Sequence, residues 1–84
     1  MKNLKILREA YKNAPKMRNA IDLAIAKHGE DAEAVIAYGQ PSKWSGSNCF
    51  KTAKSVGFAD YEVFPGPRRR YRTQGFINIL VRVK

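Results

Sequence analysis

The stretch Phe76-Ile77-Asn78-Ile79-Leu80-Val81-Arg82-Val83 decides the fold class of this chain. Its branched apolar residues at positions 77, 79, 81 and 83 alternate with the residues between them, and a period of two is typical of a β-strand. A shorter strand is predicted over residues 61–64, and Pro65 and Gly66 fit the two central places of a type II turn after it. The last third of the chain is therefore predicted to form antiparallel β-structure.

The segment between these two strands is rich in arginine and is followed by a turn signal at residues 73–75. We call it the arginine cluster, and it consists of Arg68, Arg69, Arg70, Tyr71 and Arg72. Two alternatives stay open for it: the tip of a long loop in a hairpin, or the third strand of a meander. In both, the β part of the domain covers about residues 60–83.

Upstream of the β part, apolar residues recur every three or four positions, which is the spacing of one buried helix face. This spacing predicts a first helix capped by Asn3 and a second helix that begins near Pro15 and ends before Gly29. Acidic residues at positions 30, 31 and 33 favour the positive end of a helix dipole and predict a short third helix over about 30–38. A fourth helix is predicted to begin at Ser42 or Ser47 and to end before residue 57.

These elements predict one α+β domain over residues 1–84, with three or four helices over about 3–56 followed by the hairpin or meander. No apolar run approaches the roughly 18 residues that span a bilayer, so we expect no membrane partner and a cytoplasmic protein. The single cysteine excludes an intramolecular disulfide.

Charge is the strongest functional signal in the sequence. Lysine and arginine number 16 and aspartate and glutamate number 7, a formal net charge of +9. Residues 43–84 hold nine basic and two acidic side chains, whereas residues 1–42 hold seven and five. An excess concentrated in one half favours a phosphate-bearing partner, because each phosphate contact releases condensed counterions.

Two segments are predicted to contact such a partner. In the arginine cluster, guanidinium groups pair with phosphate in a bidentate way, and Tyr71 adds a stacking or hydrogen-bonding group. In the predicted fourth helix, small polar residues at the N-terminus and lysines on the outer face suit phosphates or base edges. This second set is Lys43, Ser47, Asn48, Lys51 and Lys54, and Trp44 beside it is predicted to pack in the core.

The sequence predicts no catalytic residue, metal site or cofactor, and therefore no enzyme. Cys49 is predicted to be a packed residue and His28 a helix-terminal one, since neither belongs to a recognisable nucleophile motif. Asp60 and Glu62 are spaced like paired carboxylates on a strand, but further acids or histidines for a metal nuclease are missing.

The order of predicted elements resembles winged helix-turn-helix DNA-binding domains over roughly residues 30–84. In this resemblance residues 31–38 are the first helix of the motif, residues 39–41 open the turn, residues 47–55 are the recognition helix, and the arginine cluster with its two strands is the wing. It implies that Ser47, Asn48, Lys51 and Lys54 face the major groove while the wing grips the backbone or minor groove. The turn region departs from the pattern, because it is long and holds Trp44.

Three hypotheses follow, and the oligomeric state stays open in each. The first is a protein that binds duplex DNA, such as a regulator or accessory factor of a bacterial or phage element. The second is an RNA-binding protein with Trp44, Tyr71 and Phe76 as stacking surfaces. The third is a small phage-encoded inhibitor that docks on an acidic host protein or a ribonucleoprotein.

Overall fold

The computed structural model describes residues 2–68 and 75–83 of the chain. Their elements follow in the order α1 (Leu4–Ala10), α2 (Pro15–His28), β1 (Ala34–Gly39), α3 (Asn48–Ser55), β2 (Tyr61–Arg68) and β3 (Phe76–Arg82). Over these residues the domain is α+β, with three helices and a three-stranded antiparallel sheet in the order β1-β3-β2.

The first two predicted helices are confirmed, together with the residues that begin and end them. Asn3 caps α1, since its side-chain Oδ1 accepts a hydrogen bond from the Ile6 backbone N–H at 2.9 Å. Pro15 lies in the first turn of α2. A backbone N–H at this position has no partner within the helix, so the helix loses no hydrogen bond through the proline. Gly29 follows α2 with a φ of +87°, a region that glycine enters without steric cost.

The predicted third helix over residues 30–38 is wrong, because this segment forms strand β1. β1 pairs with β3 in an antiparallel register that runs from Ala34 opposite Val81 to Gly39 opposite Phe76. Val35 and the residues after it suit a pleated, half-buried surface, and this distant pairing overrides the local helix signal of the acidic turn. A strand and a loop, and not a helix and a turn, therefore precede α3.

The predicted fourth helix is confirmed as α3, and the later of its two predicted starts is the correct one. Ser47 is the N-cap, and its Oγ accepts a hydrogen bond from the Phe50 N–H at 3.1 Å. Gly57 follows the helix with a φ of +82°. Cys49 and Ala53 are buried on the inner side of α3.

Strand β3 is confirmed, and β2 is longer than predicted. The predicted type II turn at Pro65 and Gly66 lies inside β2, which continues to Arg68 after a register irregularity that follows Pro65. β2 is an edge strand, and an edge strand tolerates proline because its outward N–H positions have no ladder partner. The described sheet has three strands, as one alternative predicted, but its third strand is β1, from a segment predicted to be helical.

The sheet separates two apolar cores. Ile79 and Val81 of the central strand β3 lie on the α1/α2 face, and Leu80 between them lies on the α3 face. The core of the α1/α2 face also contains Leu4, Leu7, Met17, Ala20, Ile21, Ala24 and Ala34. The smaller core of the α3 face also contains Ala37, Cys49, Ala53, Phe58 and Tyr61. The helix predicted to bind the ligand therefore lies alone on its side of the sheet within the described part of the chain.

Candidate nucleic-acid interface

Helix α3 presents three of the predicted contact residues to solvent. Asn48, Lys51 and Lys54 follow one another at intervals of three, so they share one face of the helix. All three are exposed, whereas Ala53 is buried and Phe50 is half-buried. The prediction that the lysines point away from the packed side is confirmed.

Ser47 and Lys43 have structural partners of their own. Ser47 is buried, and its hydroxyl group donates to the Ser42 carbonyl at 2.9 Å while it accepts the capping hydrogen bond of α3. The Lys43 Nζ lies 3.4 Å from an Asp60 carboxylate oxygen and 4.8 Å from the centroid of the Tyr61 ring. Ser47 therefore holds the helix start in place and does not line the outer surface, contrary to its predicted role in the groove.

The arginine cluster begins at the end of β2. Arg68 is exposed, and its guanidinium carbon lies 5.5 Å from the centroid of the Phe76 ring, the first residue of β3. This cation–π contact fixes the start of the cluster on the sheet. The other predicted members, Arg69, Arg70, Tyr71 and Arg72, lie outside the described residues.

The start of helix α3 and the start of the arginine cluster lie at the same end of the sheet, which we call the Gly39 end. Phe76 pairs with Gly39 on one side and with Arg68 on the other, so two strand spacings, roughly 10 Å, separate Gly39 from Arg68. The Asn48 amide packs so closely on Gly39 that a Cβ there would lie 3.1 Å from its Nδ2. Phe76 is also on the α3 face, because it is four residues from Leu80 along the strand.

A buried amide fixes the Gly39 end. Asn78 is fully buried, and its Nδ2 donates to the carbonyl oxygen of Gly39 at 2.9 Å and to that of Phe76 at 3.3 Å. A Cβ at Gly75 would lie 2.7 Å from the Gly39 carbonyl carbon, so the residue just before β3 touches the backbone of β1. These contacts join the end of β1, on which α3 starts, to the start of β3, which follows the arginine cluster.

The cations of α3 and the first arginine of the cluster have no ion-pair partner within the described residues. All seven acidic residues lie at or before position 62, so every charged side chain after that position is basic. Five of the acids form ion pairs, namely Glu9, Glu30, Glu33, Asp60 and Glu62. Over residues 2–68 and 75–83, no ion pair involves Lys51, Lys54 or Arg68.

Trp44 is a second residue, after Ser47, whose position differs from the prediction. It was predicted to pack in the core, but 66% of it is exposed. Its ring lies against Gly46, where a Cβ would come within 1.9 Å of a ring carbon. The signal in the sequence is the glycine two positions after the tryptophan, because only a residue without a side chain leaves room for the indole there.

The candidate catalytic residues are not brought together. Cys49 packs in the core of the α3 face, where burial raises the pKa of its thiol, whereas His28 ends α2 on the other face. The prediction of Cys49 as a packed residue is confirmed. Asp60 forms an ion pair with Lys43, whereas Glu62 forms one with Lys27. No group of three potential metal ligands occurs in the described ranges.

Glu62 joins β2 to the end of α2. Its carboxylate lies 2.9 Å from the Lys27 Nζ and 2.8 Å from the His28 Nε2. The hydrogen bond from Lys27, and after it the contact with His28, lowers the pKa of Glu62 below its ordinary value. This cluster stabilises the α1/α2 face and lies apart from the Gly39 end.

No protein-family model, curated protein or solved structure matches this chain. None of the helices within the described residues has the length and apolar character needed to cross a membrane.

Proposed function

We propose that this protein binds nucleic acid through the cations of α3 and of the arginine cluster, with duplex DNA as the form that α3 favours. The observation that supports this most directly is the set of cations on α3 and at the end of β2. Lys51 and Lys54 share an exposed helix face and form no ion pair within the described residues, and Arg68 begins a run of arginines at the end of the sheet where α3 starts. Phosphates are the ligands that neutralise such a surface.

The shape of the α3 face supports a groove contact. α3 is the single helix on this side of the sheet among the described residues, and its outer face carries one amide and two ammonium groups. The major groove is about 12 Å wide and admits an α-helix with its side chains. Asn48 is suited to a base edge or a phosphate, while Lys51 and Lys54 are suited to the backbone.

A more specific form of this proposal is that the protein binds duplex DNA in the manner of a winged-helix domain. α3 is followed by β2 and β3, and the arginine cluster joins these two strands, as in the predicted wing. The element before α3 is the strand β1, so the proposed recognition helix is supported by a sheet and not by a preceding helix. This changes what holds α3 in place and leaves the same helix face exposed.

The test is the salt dependence of binding to a labelled duplex. We expect log affinity to fall linearly with log salt concentration, with a slope of roughly −0.9 for each phosphate contacted. No binding at low salt, or binding that salt leaves unchanged, would contradict the proposal.

A matched pair of triple variants tests where the duplex binds. The first replaces Arg69, Arg70 and Arg72 by alanine and leaves Arg68 on Phe76. The second replaces Lys5, Lys12 and Arg18, which are exposed cations on or near α1 and α2, and removes the same charge. We expect the first variant to lose most of the salt slope and the second to keep it, whereas equal losses would mean that net charge alone attracts DNA.

A further inference from the structure

An exposed tryptophan forms a flat surface beside the start of α3. Trp44 is the single tryptophan of the chain, and 66% of it is exposed. Its indole ring lies against Gly46. Indole rings are highly buried on average, because they remove a large apolar area from water. An indole ring that lies against the loop and stays mostly exposed is suited to stacking with a second flat group.

The loop that carries Trp44 is held by hydrogen bonds at both ends. The Ser47 N–H donates to the Trp44 carbonyl at 2.9 Å, and the Ser47 hydroxyl donates to the Ser42 carbonyl at 2.9 Å. The Cys49 thiol donates to the Gln40 carbonyl at 3.4 Å. A ligand that stacks on Trp44 therefore meets a surface that is already ordered, which lowers the entropy cost of binding.

A small cavity lies beside the indole. Its volume is about 210 Å³, and it is lined by Gln40, Ser42, Trp44, Gly46, Ser47 and Asn48. Pockets for drug-sized ligands occupy roughly 300–1,000 Å³, so this cavity is suited to a smaller group such as one ring system. The Ser42 hydroxyl is buried and has no hydrogen-bond partner in the described part of the chain.

The polar groups in this cavity are the types that recognise a nucleobase. Each of the side-chain amides of Gln40 and Asn48 offers two donors and one acceptor oxygen, and both residues are exposed. Such amides pair with the edges of bases, where donors and acceptors alternate. The lining combines these polar groups with the indole ring, which suits a flat ligand with a polar edge better than a purely apolar anchor from a protein partner.

The cavity also lies where a phosphate chain is expected. Asn48 borders both the cavity and Gly39, and Lys51 lies one turn further along α3. Arg68 lies two strand spacings from Gly39, at the same end of the sheet. A base held at Trp44 is therefore next to a helix whose exposed face carries lysines that suit its flanking phosphate.

We propose that Trp44 stacks on one unpaired nucleobase, with Gln40 and Asn48 at its edge, so that the ligand is a nucleic acid that exposes an unpaired base next to a duplex or within a single strand. This inference rests on the proposed function and adds the class of ligand. A paired base inside a duplex has no free face and does not enter the cavity.

The experiment uses the intrinsic fluorescence of Trp44, which no other tryptophan obscures. The full-length protein is titrated with four oligonucleotides of matched sequence: a blunt DNA duplex, the same duplex with a three-nucleotide overhang, the single DNA strand and the single RNA strand. We expect quenching with the overhang and the single strands, and none with the blunt duplex. Comparison of the two single strands identifies the sugar that the site prefers.

Variants then test whether the indole contributes to binding. Stacking of one base on an aromatic side chain corresponds to roughly a 5- to 150-fold change in affinity, so we expect Trp44→Ala to weaken binding of the overhang ligand by that factor. Trp44→Phe is expected to retain most of the affinity. The control is Leu23→Ala, which removes a side chain of similar exposure, 67%, from α2. Blunt duplex affinity is expected to stay unchanged in all three variants.

The outcomes separate this inference from the proposed function. Tight, salt-dependent binding of every ligand, with constant Trp44 fluorescence and no effect of Trp44→Ala, would overturn the inference and leave the proposed function in place. Failure of all four oligonucleotides to bind at low salt would overturn the proposed function and this inference with it. Circular dichroism of each variant confirms that a loss of affinity is not a loss of fold.

Discussion

On the α1/α2 face of the sheet, β3 packs Ile77, Ile79 and Val81 against two helices, whereas on the α3 face it packs Leu80 and Asn78 against one. The first face has the larger apolar core. The second has a buried amide and a buried thiol within a smaller core. The two faces of one strand therefore bury different chemistry.

The two faces also differ in how their charged side chains are paired. On the α1/α2 side, Arg8 pairs with Glu30 and Lys27 pairs with Glu62. On α3, Lys51 and Lys54 form no ion pair within the described residues. Ion pairs offset part of the positive charge on the α1/α2 side, where Lys5 and Arg18 remain without one, whereas no residue of α3 forms an ion pair within the described residues.

This difference separates stability from binding. Apolar burial contributes about 25 cal/mol for each Å² removed from water, so the larger core dominates the free energy of folding. The α3 side is free to expose Trp44 and unpaired lysines, because little of the folding free energy depends on them. Substitutions on the two faces are therefore expected to have different effects.

The largest expected effect is the loss of Ile79. Ile79→Ala removes a fully buried side chain from the α1/α2 core, and we expect a loss of about 2–5 kcal/mol in the free energy of unfolding. Val63→Ala, at a half-buried position on the α3 face of β2, is the control and is expected to cost about 1 kcal/mol. Urea denaturation measures both. Equal losses would show that the two cores contribute alike, against the comparison drawn above.

The next effect concerns the join between β1 and β3 at the Gly39 end. Gly75 has a φ of +121°, and a Cβ there would lie 2.7 Å from the Gly39 carbonyl carbon. We expect Gly75→Ala to cost about 1–3 kcal/mol through backbone strain, with a further loss from this clash. Gly57→Ala is the control, because Gly57 also has a positive φ, +82°, but open space around it. Similar unfolding midpoints for the two variants would mean that the close approach adds nothing.

Much of the fold follows from local sequence signals. Asn3, Pro15, Ser47 and the alternation in β3 specify elements through contacts with their own neighbours, and these predictions are confirmed. β1 was missed because its stability comes from pairing with β3, far along the chain, while the acidic turn before it is typical of a helix start. The length of β2 was missed because its edge position, which makes Pro65 tolerable, is a property of the sheet.

The candidate site was also predicted only in part, because some of its features depend on local sequence and others on contacts between separate segments. The exposure of Lys51 and Lys54 follows from helix periodicity alone. The burial of Ser47 follows from its dual role as a cap and as a donor to Ser42, and only one of these roles is visible in the sequence. Trp44 was predicted to lie in the core because a small domain usually buries its indole ring. The packing of this ring on Gly46 depends on the conformation of the loop, which the sequence pattern does not reveal.

A smaller effect tests the cationic character of α3. The double variant Lys51→Ala, Lys54→Ala is expected to reduce the slope of log affinity against log salt by about one for each lysine that contacts a phosphate. The matched control is Lys5→Ala, Lys12→Ala, which removes the same charge from exposed positions on and just after α1. Identical slopes for the two double variants would remove α3 from the interface and leave the arginine cluster as the binding element.

The smallest effect is the pH dependence that Glu62 confers on the α1/α2 side. Lys27 and His28 lower the pKa of Glu62 from its ordinary value of 4.5, so the ionised carboxylate favours the folded state. A lowered pKa gives stability that is fully present above the ordinary value and is lost as the pH falls through the lower folded value. Glu62→Gln removes this contribution, and because Lys27 is largely exposed we expect at most about 1 kcal/mol.

The difference in stability between the wild type and Glu62→Gln is therefore expected to shrink as the pH falls below 4.5. Urea denaturation between about pH 3 and pH 7 measures this difference, in the range where carboxylates titrate. Glu9→Gln is the control, since Glu9 pairs with Lys12 at a more exposed position and should show a smaller change. DNA affinity at neutral pH is expected to be the same in both variants, because Glu62 lies apart from the Gly39 end. A change in affinity for Glu62→Gln alone would show that the two faces are coupled through β2, and the separation of stability from binding would then fail.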